Sequence, residues 1–209
     1  MPVDGRQYPV NLVLEGRPCL VVGGGHIAAR KIAGLVAAGA VVHVVAPLVV
    51  DEIIAMAAVT HEVRGYRRGE VAGYRLVVAA TDSPEVNRAV YDDGEAAGVW
   101  VNSADDPASC SFTLPAVVRR GALTVTVSTG GRSPALASWL KGAIGAQLGP
   151  EYEVLVDLLS AEREAIRASG GSTEQADWKR ALDSDMLDLI RAGQIVRARE
   201  RLQACLSSS

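Results

Sequence analysis

The first clear signal in the chain is a continuous apolar run closed by glycines, "RPCLVVGGG", which predicts a buried strand ending at Gly23. The next stretch, "HIAARKIAGLVAAGA", spaces Ile27, Ile32 and Leu35 among small residues and stops at Gly39, so it predicts a helix with glycine at its end. "VVHVVAP" predicts a second strand closed by Pro47, and "DEIIAMAA" a short helix that Asp51 caps or precedes. "YRLVVAATD" is a third apolar strand. "SPEVNRAVYDDGEAAG" carries a full set of helix boundaries: Ser83 as N-cap, Pro84 at the first position and Gly98 past the end. "VWVNSA" is a fourth strand. Strand and helix alternate across residues 19–103, the pattern of a doubly wound parallel sheet.

The pattern changes after Pro115. "GALTVTVSTGG" alternates strictly and predicts a strand running into a glycine turn. "SPALASWLKGAIGAQL" restarts a helix, with Ser133 as N-cap followed by Pro134. Residues 151–209 read as helices throughout. "EYEVLVDLLSAEREAIRAS" closes at Gly170-Gly171, and "STEQ" has capping-box spacing from Ser172 to Gln175. "SDMLDLIRAG" ends at Gly193, and a last helical segment follows. The fold class is therefore α/β: a Rossmann-type doubly wound parallel sheet over residues 1–115, a connecting segment over 116–150 and a small helical domain over 151–209.

Composition narrows the chemistry. Of 209 residues, 49% are apolar but only 4% aromatic, so the core must be built from Val, Ala and Leu. Such usage suits parallel strands under small-residue helices. A net charge of −3 predicts no general attraction to nucleic acid or to an anionic membrane. The longest apolar stretch, "AGLVAAGAVVHVVAPLVV", is interrupted by Gly39, His43 and Pro47 and reads as helix then strand rather than a span. Cys19, Cys110 and Cys205 lie far apart, with no CxxC spacing, which predicts a reducing, cytoplasmic protein without disulfides or a zinc site. Asp4 and Arg6 with no apolar run behind them predict no secretory leader.

The glycine cluster is the first candidate site. Gly23-x-Gly25-x-x-Ala28 fits the dinucleotide fingerprint, with a strand before it and a helix after it. Gly23 allows the tight turn, a bare Gly25 lets a pyrophosphate approach, and Ala28 lets the helix pack close to the sheet. The backbone at His26 and Ile27 then faces the phosphates at a helix N-terminus. The competing reading is a tight strand–helix turn with no ligand. The fingerprint's acid is missing: Val45, Ala46 and Pro47 stand where Asp or Glu normally holds the ribose, and no Arg replaces it. NAD held by backbone around Pro47 and Leu48 is the expectation.

Four stretches taken together carry a resemblance. "YPVNLVLEGRPCLVVGGGHIAARK", "VVAATDSPEVN", "VNSADDPASCSFTLPA" and "VTVSTGGRSPALA" occur in the order found in precorrin-2 dehydrogenases, a family that includes the N-terminal module of siroheme synthase and dehydrogenase/ferrochelatases. The resemblance covers roughly residues 8–150. It implies NAD-dependent dehydrogenation of precorrin-2 to sirohydrochlorin, with ferrous iron inserted in the same cleft by some members. It also implies a homodimer, with 116–150 serving the dimer contact and the tetrapyrrole cleft. The expectation is that any methyltransferase step belongs to another protein.

The resemblance assigns catalysis to Asp105, two residues before Pro107 at the end of the fourth strand. A carboxylate there can take the proton that leaves the macrocycle as its hydride goes to the nicotinamide. The bland alternative is a cap around Pro107, and for Asp106 a solvated turn acid is the better reading. Thr81 and Asp82 flank the cofactor, although Asp82 is equally a structural cap. Asn102 and Ser103 hydrogen-bond the nicotinamide or orient Asp105. Ser111, Phe112 and Pro115 form the macrocycle floor. Ser128, Thr129, Gly130 and Gly131 offer N–H groups to the substrate's carboxylates. Arg132 supplies charge, whereas Arg119, Arg120 and Lys141 are equally a solvated face. His43 packs, His61 lies on the surface, and Cys110 is no nucleophile. No resident metal is expected. Three rivals stand beside this reading: dehydrogenation without chelation, a non-enzymatic NAD-sensing module, and a nucleotide-independent tetrapyrrole carrier.

Overall fold

The computed structural model describes residues 7–104 and 106–207. Contacts divide the chain into two units: residues up to 114 together with 130–132, and residues 115–129 together with 133 onward.

The first unit holds β1 (Pro18–Val22), α1 (His26–Val36), β2 (Val41–Ala46), α2 (Asp51–Ile54), β3 (Val59–Val63), β4 (Leu76–Ala79), α3 (Pro84–Ala97) and β5 (Trp100–Ser103). The strands form one parallel sheet in the order β3-β2-β1-β4-β5. The order reverses between β1 and β4, so the carboxyl edge there is the switch point where open α/β sheets bind ligands.

The continuous apolar runs are explained by burial on both faces. Cys19, Val21, Val42, Val44, Leu76 and Val78 join Ala28, Ala29 and Ile32 of α1 in one core. The alternate residues Leu20, Val22, Val45, Val77 and Ala79 join Val90 of α3 and Val101 in the other. Methyl-rich strands fill both layers, with Phe112 on one and Tyr66, Tyr74 and Tyr91 on the other packing at the margins. The ends of α3 follow its sequence: Ser83 Oγ accepts from Val86 N–H, Pro84 is the first residue, and Gly98 closes the helix at φ +67°.

Two strands depart from expectation. β3 is a fifth strand that the pattern did not announce, because its sequence VTHEV is polar and largely exposed at the sheet edge. In the second unit, β6 (Ala116–Arg120) pairs antiparallel with β7 (Leu123–Val127), so the alternating strand seen in sequence is half of a hairpin.

The hairpin is followed by α4 (Pro134–Gln147), capped by Ser133 Oγ, and then by α5 (Glu151–Ala168), α6 (Trp178–Leu182), α7 (Met186–Arg191) and α8 (Ile195–Leu206). These last four helices build their own core from Leu155, Leu158, Ala181, Met186, Ile190, Ala198, Leu202 and Cys205. The capping box at Ser172–Gln175 does not start a helix. Ser172 Oγ accepts from Glu174 N–H in a local turn, and α6 begins six residues later, capped by Asp177 through Arg180 N–H. The first residue buried against the helical core after the Gly170-Gly171 break is Trp178, so no apolar face exists to hold a helix earlier.

Candidate functional site

The three glycines after β1 have three different jobs. Gly23 sits at φ +124°, and a Cβ there would lie 2.1 Å from the Ala80 carbonyl oxygen. Its N–H donates to Val45 O at 2.9 Å. A Cβ on Gly24 would meet Leu48 O at 2.0 Å, and the Gly24 carbonyl accepts from Val50 N–H at 2.9 Å. Gly25 is the N-cap of α1 in extended backbone, and a Cβ there would meet nothing within 4 Å. The turn therefore needs no glycine at 25 for its own sake. Bareness at that point keeps clear the space in front of the helix N-terminus.

That cradle fits a dinucleotide pyrophosphate. The first turn of α1 carries no acidic residue, and its N–H groups and dipole favour an anion. Ala28 and Ala29 are fully buried, which brings the helix close to the sheet. His26 and Ile27 are exposed at the mouth, with His26 Nδ1 3.3 Å from Glu52 Oε2. Pro47 and Leu48 are exposed beside the same turn, Leu48 at 85%.

The structure adds a charged group that sequence reasoning missed. β3 lies parallel to β2, with Glu62 opposite Val45 and Val63 opposite Ala46. Arg64 N–H then donates to Ala46 O at 3.0 Å. The Arg64 guanidinium is clasped by Glu62 at 2.6 Å and Glu70 at 2.7 Å. The arginine beside it holds the Glu62 carboxyl below its usual range, chiefly through that hydrogen bond. The missing signal was β3 itself: without that strand, nothing in the sequence places residues 62–70 beside the end of β2.

The ends of β4 and β5 complete the edge. Thr81 is half-buried and already engaged: its Oγ1 donates to Asn87 Oδ1 at 2.8 Å, or to Ser83 O at 3.1 Å. Asp82 is exposed, and the cap of α3 is Ser83. Asn102 is buried, and its Nδ2 donates to Phe112 O at 2.9 Å, which folds 110–112 back along β5. Ser111 Oγ accepts from Val101 N–H at 2.7 Å, and Phe112 packs on the α1-side core. Ser103 is buried, and among the described residues its hydroxyl has no partner, while its N–H donates to Cys110 Sγ at 3.2 Å. Burial pushes the Cys110 thiol up, consistent with an inert sulfur.

Asp105 lies outside the described residues. Asp106 caps the 3-10 turn Pro107–Ser109, accepting from Ala108 N–H at 3.0 Å and Ser109 Oγ at 2.6 Å. The turn around Pro107 thus has its cap without Asp105.

Gly23, Gly25, His26, Ile27, Pro47, Leu48, Thr81, Asp82 and Asn102 all fall at the carboxyl edge of one sheet, with Ser111 and Phe112 behind β5. Pro115, Ser128 and Thr129 belong to the second unit. Thr129 Oγ1 accepts from Ser133 N–H at 3.0 Å. Gly130 and Gly131 are both left-handed, at φ +61° and +79°, and Arg132 is exposed. Arg120 is structural: it donates to Leu148 O and Gly145 O, the orphan carbonyls ending α4. Arg119 and Lys141 line an open groove of ≈ 420 Å³ beside it. Among the described residues no group of three or more His, Cys, Asp or Glu side chains is placed to hold a metal ion, and no helix is long and apolar enough to cross a membrane.

A family model described as putative NAD(P)-binding matches residues 10–116, just over half the chain, and one described as sirohaem biosynthesis protein central matches 120–147. A solved structure of SirC, a precorrin-2 dehydrogenase, superposes with a TM-score of 0.72 at 29% identity, covering 95% of this chain and 98% of that one. The chain belongs to the family whose model is described as putative NAD(P)-binding. The siroheme synthase of Methylobacillus flagellatus is 37% identical over 95% of this chain and 44% of its own length. That of Nitrosomonas europaea is 35% identical over 96% and 44%. The chain spans under half the length of these siroheme synthases.

Proposed function

We propose that this chain is an NAD-dependent dehydrogenase that converts precorrin-2 to sirohydrochlorin in siroheme biosynthesis. One observation carries the reading: a bare Gly25 opens the N-terminus of α1 at the switch point of a sheet whose chain is similar to SirC almost end to end. Gly23, Gly25, His26 and Ile27 would hold the pyrophosphate through backbone N–H groups, and Pro47 and Leu48 would line the ribose. NAD, when bound, accepts the hydride. Asp105 takes the proton that leaves the macrocycle with it. Asp106 cannot share that task cheaply, since both its oxygens are committed to the turn. Thr81, Asp82 and Asn102 frame the nicotinamide side. Ser111, Phe112 and Pro115 floor the macrocycle, while Ser128, Thr129, Gly130 and Arg132 receive its carboxylates.

The test is direct. Precorrin-2 and NAD are mixed with the protein, and NADH absorbance is followed together with the sirohydrochlorin spectrum. Stoichiometric NADH supports the assignment; its absence under NAD saturation removes it and leaves the carrier or sensor readings. A parallel arm with ferrous iron as a substrate separates dehydrogenation alone from dehydrogenation with chelation.

The protein acts as a homodimer in this reading, and α4 is the supporting feature. Only Ala137 of that helix is buried, yet Leu136 and Trp139 are 47% and 68% exposed. A soluble monomer rarely leaves such a face uncovered. Light scattering is expected to give twice the 21.9 kDa chain mass, and Trp139→Lys to halve it; a monomeric wild type at micromolar concentration refutes the dimer. A cytoplasmic setting accords with three buried free thiols.

A further inference from the structure

Dinucleotide folds meet the adenosine ribose at the end of their second strand, where an acid selects NAD and a free arginine admits the 2′-phosphate of NADP. Here that strand ends in Val45, Ala46 and Pro47, which can do neither. The charges come from the elements on either side. Asp51 and Glu52 occupy the first turn of α2, four and five residues beyond Ala46–Pro47. Glu62 and Arg64 lie at the end of β3, and the turn that follows brings back Glu70. Arg67 N–H donates to Glu70 Oε1 at 2.7 Å, and its side chain is exposed. The elements flanking the end of β2 thus carry four carboxylates and two arginines, with His43 Nε2 3.3 Å from Glu62 Oε1 and His26 Nδ1 3.3 Å from Glu52 Oε2.

The arginine tied to the strand end is already spent. Arg64 holds Ala46 O through its own N–H, and its guanidinium is bonded on both sides by Glu62 and Glu70. A bidentate carboxylate clasp fixes the planar fork and leaves the trio with an excess of negative charge. We infer that the Glu62–Arg64–Glu70 clasp is the element that selects NAD over NADP, supplying from a neighbouring strand the negative charge that the glycine fingerprint lacks at its usual position. It acts by repelling a dianionic 2′-phosphate and by withholding the guanidinium that would otherwise grip it. The inference rests on the reading that the glycine turn binds a dinucleotide.

Calorimetric titration of the full chain with NAD+ and with NADP+ tests it without any turnover. The wild type is expected to bind NAD+ at least roughly tenfold more tightly, the effect of like charges brought together at a binding surface. Glu62→Gln/Glu70→Gln frees Arg64 and is expected to close most of that gap by strengthening NADP+ binding. Arg64→Gln, which removes the cation and keeps the acids, is expected to preserve or widen it. Among the described residues the Glu62 carboxylate, unlike that of Glu70, accepts no backbone N–H, so Glu62→Gln alone is the variant least disturbing to folding, and it must narrow the gap if the double variant does not fold. Equal affinity of the wild type for both nucleotides overturns the selectivity claim while leaving the dinucleotide site intact. So does an unchanged gap in a variant with a native melting transition. Binding of neither nucleotide overturns both.

Discussion

Asp105→Asn is expected to lower turnover by about two to four orders of magnitude, the usual contribution of a positioned general base, while leaving the dissociation constant for NAD+ unchanged. Asparagine keeps the shape of the side chain and cannot accept the proton. Asp106→Asn is the matched control. Asp106 is bound to Ala108 N–H and Ser109 Oγ, so its loss costs about 1 kcal/mol of stability, as for other caps, with the chemistry retained. The two variants are compared by stopped-flow NADH formation and by thermal melting. Should Asp105→Asn turn over at the wild-type rate, or should the large kinetic loss fall on Asp106 instead, the base has been misassigned.

Gly25→Val is expected to weaken NAD+ binding by at least roughly a hundredfold, the loss of two hydrogen bonds to a charged group, with little change in melting temperature. The separation follows from geometry. Residue 25 has φ −87° and ψ −176°, open to a β-branched side chain, and no protein atom lies within 4 Å of the added Cβ. The side chain fills only the approach to the helix N-terminus. Gly23 is the opposite case: at φ +124° with Ala80 O 2.1 Å away, any side chain breaks the turn and the fold with it. An unaltered NAD+ affinity in Gly25→Val, measured by calorimetry, would remove the phosphate cradle from the proposal.

Most of the sheet was legible because burial on both faces writes long Val and Ala runs, and because Ser83, Pro84 and Gly98 mark α3 at both ends. β3 and β6 were not legible for the converse reason. VTHEV sits on an exposed edge, where only Val59 packs on the core, and in AVVRR Val118 is the one buried residue, so neither carries a clear period. The Ser172–Gln175 spacing misled because a capping box needs an apolar face behind it, and that face starts at Trp178. The glycine turn was readable residue by residue, since each position answers to local sterics. The Arg64 clasp and the Arg120 cap were not, because each depends on which strand or helix end lies across from it. Asn102 shows the same limit. Nothing in the sequence announces that its amide N–H2 ties down Phe112 O.

The bond from Val50 N–H to Gly24 O, together with the 2.0 Å clearance that forbids a side chain at Gly24, joins the loop after β2 to the turn after β1. In the proposed reading these two segments would grip different portions of one ligand. The bond between them is made when the chain folds rather than when a nucleotide arrives, so the adenosine half of the ligand would dock without the entropic penalty that a mobile loop imposes.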